Sequence, residues 1–383
     1  MSESEERERA RRLAAVRGAE RILARQGNDA TVGQRLTDLV SAAGGAYDLD
    51  DTVDLYGDGV VGALEDRVAG LLGKEAAAFF PSGTMAQQVA LRCWAGRTGN
   101  ATVALHPLAH PEVHERGALG AVSGLRTVHL TAERRPPTAD EVAGFPEHFG
   151  TLMLELPLRD AGFLLPTWDE LTAVVDAARA RDAIVHIDGA RLWECTPHFG
   201  RPLDEIAGLA DSVYVSFYKS LNGLGGAVLA GPAPLVEEAR TWRHRYGGQI
   251  FQQFPTALSA LIGLDRELPR LPEYVAHAEV VAAALRDGFA RADVSWSRIH
   301  PEVPHTHQFR VWLPYEADVL TRAAVRQAED TRTSLFRRFF PGGPPGVSFT
   351  EVTVAESGLE WTAADVTDAV KDFVGRLAEA TAE

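Results

Sequence analysis

The sequence predicts an α/β fold: a mainly parallel central sheet with helices on both faces, and a small α+β unit at the C-terminal end. Three observations carry this. Apolar, strand-like runs alternate with helical stretches over about two hundred residues, the pattern of strands joined by helical crossovers. Several of those runs are apolar throughout and end on a polar residue, as strands buried on both faces do. Near Pro255 the texture changes to long helical segments with short strands between them.

Taken in order, the leader "MSESEERERARRLAAVRGAERILARQ" is charged and helix-forming and opens an N-terminal helical arm over residues 1–48. It lacks an apolar h-region, so it does not read as a secretory signal. "ALEDRVAGLLG" has helical apolar spacing and a stopping glycine, Gly73. "EAAAFF" is a short buried strand, broken by "PSG" and followed by the helix "TMAQQVALRCWA". "ATVALHP", "LRTVHLT" and "GTLMLELPL" continue the strands. "PTWDELTAVVDAARARD" is a helix with Thr167 as N-cap and Glu170 three residues later, a capping box. "AIVHIDGAR", "SVYVSFYK" and "GGAVLAGP" are three more strands, and "LVEEARTWRHRYGG" is a helix. This large domain spans 49–254. The small domain, 255–383, holds "TALSALIGLDREL", "EYVAHAEVVAAALRDGFARA" and "TAADVTDAVKDFVGRLAEA" as helices, with "THQFRVWLP" and "VSFTEVTVA" as strands.

Bulk properties narrow the function. A net charge of −15 argues against a nucleic-acid partner and against a polybasic membrane anchor. No run of eighteen apolar residues exists to span a bilayer. Two cysteines, Cys93 and Cys195, make neither a disulfide framework nor a metal quartet, so a reducing cytoplasm is expected. "LYGDGVVG" contains a G-x-G-x-x-G at Gly57, Gly59 and Gly62, but "AYDLDDTVDLY" before it is no buried strand, so a dinucleotide site is not expected. His106, His110 and His114 stand four apart, yet Pro107 and Pro111 forbid one regular helix across them, and no metal is expected.

The chain has only three lysines, Lys74, Lys219 and Lys371, which limits any chemistry that needs a primary amine. Lys219 follows a buried strand and precedes a glycine-rich turn, whereas Lys74 and Lys371 read as solvated. Pyridoxal 5'-phosphate (PLP) asks a protein for an amine, for a carboxylate that keeps the ring nitrogen protonated, and for backbone N–H groups at a helix N-terminus to hold phosphate. Lys219, Asp188 at the end of "AIVHID", and Ser82, Gly83 and Thr84 before a helix meet those demands at strand ends, where α/β sheets place their ligands. His186 points to the same side of the sheet as Asp188, either bonding that carboxylate or packing.

The pieces "YGDGVVGALEDRVAGLLGKEAAAFFPSGTMAQQVAL", "AHPEVHERGALGAVSG", "LMLELPLRDAGFLLPTWDEL", "HIDGARLWE" and "VSFYKSLNGLGGAVLAG" resemble the threonine aldolase and β-eliminating lyase family of PLP-dependent fold-type I (aspartate-aminotransferase-like) enzymes, from about residue 55 to 230. The resemblance implies that Lys219 is the Schiff-base lysine and Asp188 the partner of the pyridine nitrogen. It implies that His110 stacks on the ring, and that Arg191 lies near the phenolic oxygen or the substrate carboxylate. Gly83 and Thr84 would hold the phosphate, helped by Ser216. Tyr56 would reach a neighbouring subunit's cofactor from an interface loop, which makes a homodimer or homotetramer the expected state.

Some family features differ. Its D-x-x-T segment has no counterpart in "MSESEERERARR"; "LENT" reads "LELP", with Leu156 for asparagine; and "GGGxRQ" reads "GGQIFQQ", with Phe251 for arginine. Arg243 or Arg245 would then serve the phosphate side, and Arg310 the substrate carboxylate. The implied activity is retro-aldol cleavage of a β-hydroxy-α-amino acid to glycine and an aldehyde. The alternatives are β-elimination or other Cα-proton chemistry such as racemisation or transamination, or a non-catalytic protein that kept the fold.

Overall fold

The computed structural model describes residues 3–24 and 29–381. Residues 1–2, 25–28 and 382–383 of the expected arm and small domain lie outside it. The chain divides into two compact units, Leu36–Pro269 and Met1–Arg35 with Arg270–Glu383.

The large unit is built on a seven-stranded sheet: β1 (Ala76–Phe80), β2 (Thr102–Leu105), β3 (Arg126–His129), β4 (Thr151–Glu155), β5 (Ile184–Gly189), β6 (Ser212–Ser216) and β7 (Ala227–Gly231). Their spatial order is β1-β7-β6-β5-β4-β2-β3. Only β7 runs antiparallel to its two neighbours; the rest are parallel. Every residue of β6 and β7, and all of β5 after Ile184, is buried, which requires cover on both faces and accounts for their unbroken apolar character.

Five helices position the site: α1 (Val60–Leu71), α2 (Gly83–Thr98), α3 (Trp168–Arg179), α4 (Ala233–Arg245) and α5 (Phe254–Arg266). The capping box at α3 is present in both directions, Thr167 accepting from the Glu170 N–H at 3.3 Å and Glu170 from the Thr167 N–H at 2.8 Å. The helix α5 packs on α1. It therefore belongs to the large unit, although sequence texture put the change of domain at Pro255.

Residues 47–56, which lead into the G-x-G-x-x-G segment, form no strand. Tyr56, Gly57 and Gly59 have φ of 59°, 108° and 51°, so the chain turns tightly there and the glycines accept left-handed backbone at low cost. The buried Asp54 carboxylate anchors the turn, accepting from the N–H groups of Gln253 and Phe254 at 2.8–3.0 Å.

In the small unit, Gln308–Leu313 lies between Ser348–Thr353 and Arg298–His300 in a four-stranded antiparallel sheet that Phe340–Pro341 completes. Helices Leu271–Arg291, Ala317–Thr331 and Ala363–Thr381 bury an aromatic-rich core around Phe309, Phe336, Phe339 and Phe373. The N-terminal helix Glu3–Gly18 belongs to this unit, packing on Ala317–Thr331 with an Arg11–Glu329 ion pair at 2.6 Å. Arg21–Ile22 pairs in parallel with Thr333–Ser334.

Candidate active site

The parallel strands β4, β5 and β6 end side by side. Glu155 and Asp188 are register partners on β4 and β5, and Asp188 and Tyr214 on β5 and β6. Lys219 follows β6 by three residues. The ends of buried strands are where a chain can leave the apolar interior and still present side chains to an enclosed space, so functional groups gather there.

Asp188 is almost fully buried, and its Oδ1 accepts from the Ala190 N–H at 3.2 Å. Burial raises its pKa, outweighing the attraction of Lys219 and His110. Lys219 is pushed down to about 8, first by burial and then by the positive charge of Arg191, with Asp188 and Glu155 pulling the other way. A lysine so shifted holds far more free amine near neutral pH than an exposed one, which is what a nucleophilic amine requires. The two side chains are close enough for each charge to move the other's pKa.

His110 sits at the start of a short helical turn, with Nδ1 3.3 Å from Oε1 of the buried Glu115. Glu115 is itself held by Gln88 Nε2 at 3.4 Å. The three spaced histidines do separate jobs. His106 Nε2 bonds the Glu133 carbonyl at 2.7 Å, and His114 Nε2 bonds Asp160 at 2.6 Å. Among the described residues no group of side chains could hold a metal ion. His186 does not bond Asp188. Its ring joins Ser212 Oγ at 2.8 Å and Gln87 Oε1 at 2.7 Å, and burial lowers its pKa to about 3.

The structure offers a cradle for phosphate at the start of α2. Ser82 is the N-cap, accepting from the Met85 N–H at 3.3 Å, and Gly83 and Thr84 open the first turn, whose N–H groups have no partner within the helix. A Cβ on Gly83 would collide with the Tyr214 hydroxyl, so only glycine lets this turn approach that tyrosine. Tyr218, the residue before Lys219, lies close enough to Tyr214 for each to shift the other's pKa. Arg191 is half-buried over the Phe163 ring at 5.4 Å, and its Nε is buried without a hydrogen bond. A glycine-lined helix start, an arginine with donor capacity to spare, a buried lysine of lowered pKa and a buried aspartate fit PLP, whose phosphate, ring oxygen, aldehyde and ring nitrogen need those groups.

Other expected residues are placed as follows. Ser216 ends β6, donating from Oγ to the Ala190 carbonyl at 2.8 Å. Tyr56 is half exposed and meets Phe251 edge-on at 5.4 Å. Arg243 is buried, donating to the Phe79 carbonyl at 2.6 Å and pairing with Glu65 at 3.4 Å. Arg245 lies over the Trp242 ring at 4.6 Å. Arg310 belongs to the small unit, donating to Glu351 at 2.9 Å.

Sequence reasoning passed over Glu155, Glu115, Tyr214 and Arg159. For Glu155 a signal existed: it closes the apolar run "TLML" as Asp188 closes "IVHI".

Similarity to known proteins agrees with this geometry. Residues 31–294 match the model of the β-eliminating lyase family. The chain is 32% identical over 248 residues to the low specificity L-threonine aldolase of Escherichia coli (strain K12), covering 63% of this chain and 73% of that one. A solved structure from Exiguobacterium sp. 255-15, provisionally assigned as an aromatic amino acid β-eliminating lyase/threonine aldolase, superimposes with a TM-score of 0.85 at 33% identity, covering 97% of this chain and 99% of that one. A provisionally assigned L-allo-threonine aldolase of Listeria monocytogenes EGD-E gives 0.84 at 31%, with 95% and 99% covered. The chain belongs to the β-eliminating lyase family and is a PLP-dependent lyase of the threonine-aldolase type.

Proposed function

We propose that this enzyme cleaves a β-hydroxy-α-amino acid to glycine and an aldehyde. The observation that carries the reading is the meeting of Lys219, Asp188 and His110 at adjoining strand ends, each near enough to shift a neighbour's charge. Similarity to the E. coli L-threonine aldolase supports the choice of substrate class.

Bound PLP supplies an electron sink for the pair released when a Cα bond breaks. Lys219 would hold the coenzyme through its side-chain amine. Asp188 holds a proton on the ring nitrogen. The first turn of α2, with Ser82, Gly83 and Thr84, binds the phosphate, whereas the Ser216 hydroxyl is spent on the Ala190 carbonyl. Arg191 faces the substrate carboxylate or the ring oxygen. His110, oriented through Nδ1 by Glu115, takes the β-hydroxyl proton as Cα–Cβ breaks.

The lowered pKa of Lys219 also suits a base that removes the Cα proton, the first step of elimination or racemisation. Incubation with threonine separates the readings. We expect acetaldehyde and glycine; 2-oxobutyrate with ammonia as the main products would contradict the aldol reading.

The assembly is a homodimer or a dimer of dimers in which Tyr56 of the partner subunit reaches the cofactor. Support comes from Tyr56, Ile250 and Phe251, all of which hold 44% or more of their surface exposed. Sedimentation of a fully active enzyme at the 41.4 kDa monomer mass would contradict it. The compartment is the cytoplasm, which two free, buried thiols suit; no described helix is long and apolar enough to cross a membrane.

A further inference from the structure

Glu155 stands at the centre of the strand-end cluster. Its carboxylate bonds two separate turns: Oε2 accepts from the His110 N–H at 2.7 Å, and Oε1 from the Arg159 N–H at 3.2 Å. Its strand partner is Asp188. Behind it lies a small cavity of about 20 Å³ whose walls, His106 apart, are apolar: Met153, Leu156, Leu158 and Pro166 among them. A carboxylate beside an apolar wall and a second carboxylate is held there at a cost, which two charge-assisted hydrogen bonds offset.

Those bonds lead to side chains that face the site. The His110 turn carries the ring that Glu115 orients. Arg159 carries a cation that Lys219 feels, and its Nη1 is 3.4 Å from His114 Nε2. The charged or titrating groups around Glu155 are therefore Asp188 on β5, Lys219 after β6, His110 and Arg159 on the two turns, and His106 across the cavity.

We propose that Glu155 is a positioning residue. It ties the His110 turn and the Arg159 turn to the end of β4 beside Asp188, and so sets where the His110 ring and the Arg159 guanidinium stand relative to Lys219. The proposal rests on the reading of Lys219 as the coenzyme-binding amine. Burial, and then the Asp188 charge, raise the Glu155 pKa to about 7, so the anion that fastens the turns weakens as the pH falls below neutrality.

The test compares full-length, PLP-loaded wild type with Glu155→Gln and Glu155→Ala. Glutamine keeps the shape but turns an amide NH₂ toward one of the two N–H donors, so one tether is lost; alanine loses both. The readouts are PLP affinity by absorbance titration, the pH midpoint of the visible coenzyme band, the thermal midpoint, and kcat and KM for threonine. We expect kcat to fall at least about 10-fold in Glu155→Gln, as misplaced groups do, with PLP still attached. The band midpoint should move to lower pH, because the Glu155 anion favours the protonated nitrogen at Lys219. Should Glu155→Ala fail to fold, Glu155→Gln alone decides. An unmoved band midpoint, with or without a lower thermal midpoint, would overturn the proposal. Were the wild type to cleave no threonine at all, the band midpoint and PLP affinity would still judge Glu155 separately from the aldol reading.

Discussion

The middle of β5 and its carboxyl end are both buried and both polar, yet they are built on opposite terms. In the middle, His186 is bonded by Ser212 and Gln87, and Trp94 Nε1 donates to the same Ser212 hydroxyl at 2.7 Å. Both ring nitrogens have partners, and burial keeps the imidazole neutral. Two residues on, Asp188 carries a charge that its surroundings do not offset, and its pKa rises. The contrast separates structural from chemical burial: a closed neutral network stabilises a fold, whereas an incompletely compensated charge is a place for a ligand to complete.

Two substitutions sharpen that comparison, and the larger effect belongs to the strand end. Asp188→Asn should lower threonine turnover by about 10²-fold or more, the scale for removing a charge that stabilises a transition state, while the fold persists. His186→Gln should leave turnover within a few-fold of wild type and act on stability instead. The folded pKa of His186, about 3, lies below its ordinary value of 6.5, so the neutral ring's contribution is complete above pH 6.5 and is lost as pH falls from there toward 3. Denaturant titrations across that window should show the loss in wild type and a flatter profile in His186→Gln. A His186→Gln enzyme as inactive as Asp188→Asn would break the distinction between the two regions.

The strand ends were largely legible because their signals are local. An apolar run that stops on Asp188, a lysine after another run, an S-G-T before a helix and the Thr167–Glu170 cap each fit within one short stretch of chain. Glu155 was missed for a different reason. Its meaning depends on β4 lying next to β5 in the register that sets it against Asp188, and strand neighbours are not written in either strand. The antiparallel direction of β7 escaped similarly, since "GGAVLAG" reads as a strand whichever way it runs. The arm's place in the small unit depends on contacts made some three hundred residues away, such as Arg11 with Glu329. Gly83 was named for its motif, but the reason no side chain fits there is Tyr214, supplied by a strand more than a hundred residues later.

The central claim is that Lys219, held under low-dielectric strand ends with Asp188, is the amine that binds the coenzyme. Borohydride reduction of the PLP-loaded enzyme, followed by proteolysis and mass spectrometry, tests it directly because the chain has only Lys74, Lys219 and Lys371 to label. The account predicts one stoichiometric pyridoxyl group on the peptide containing Lys219. Label on Lys74 or Lys371 instead, or none above background, would contradict it.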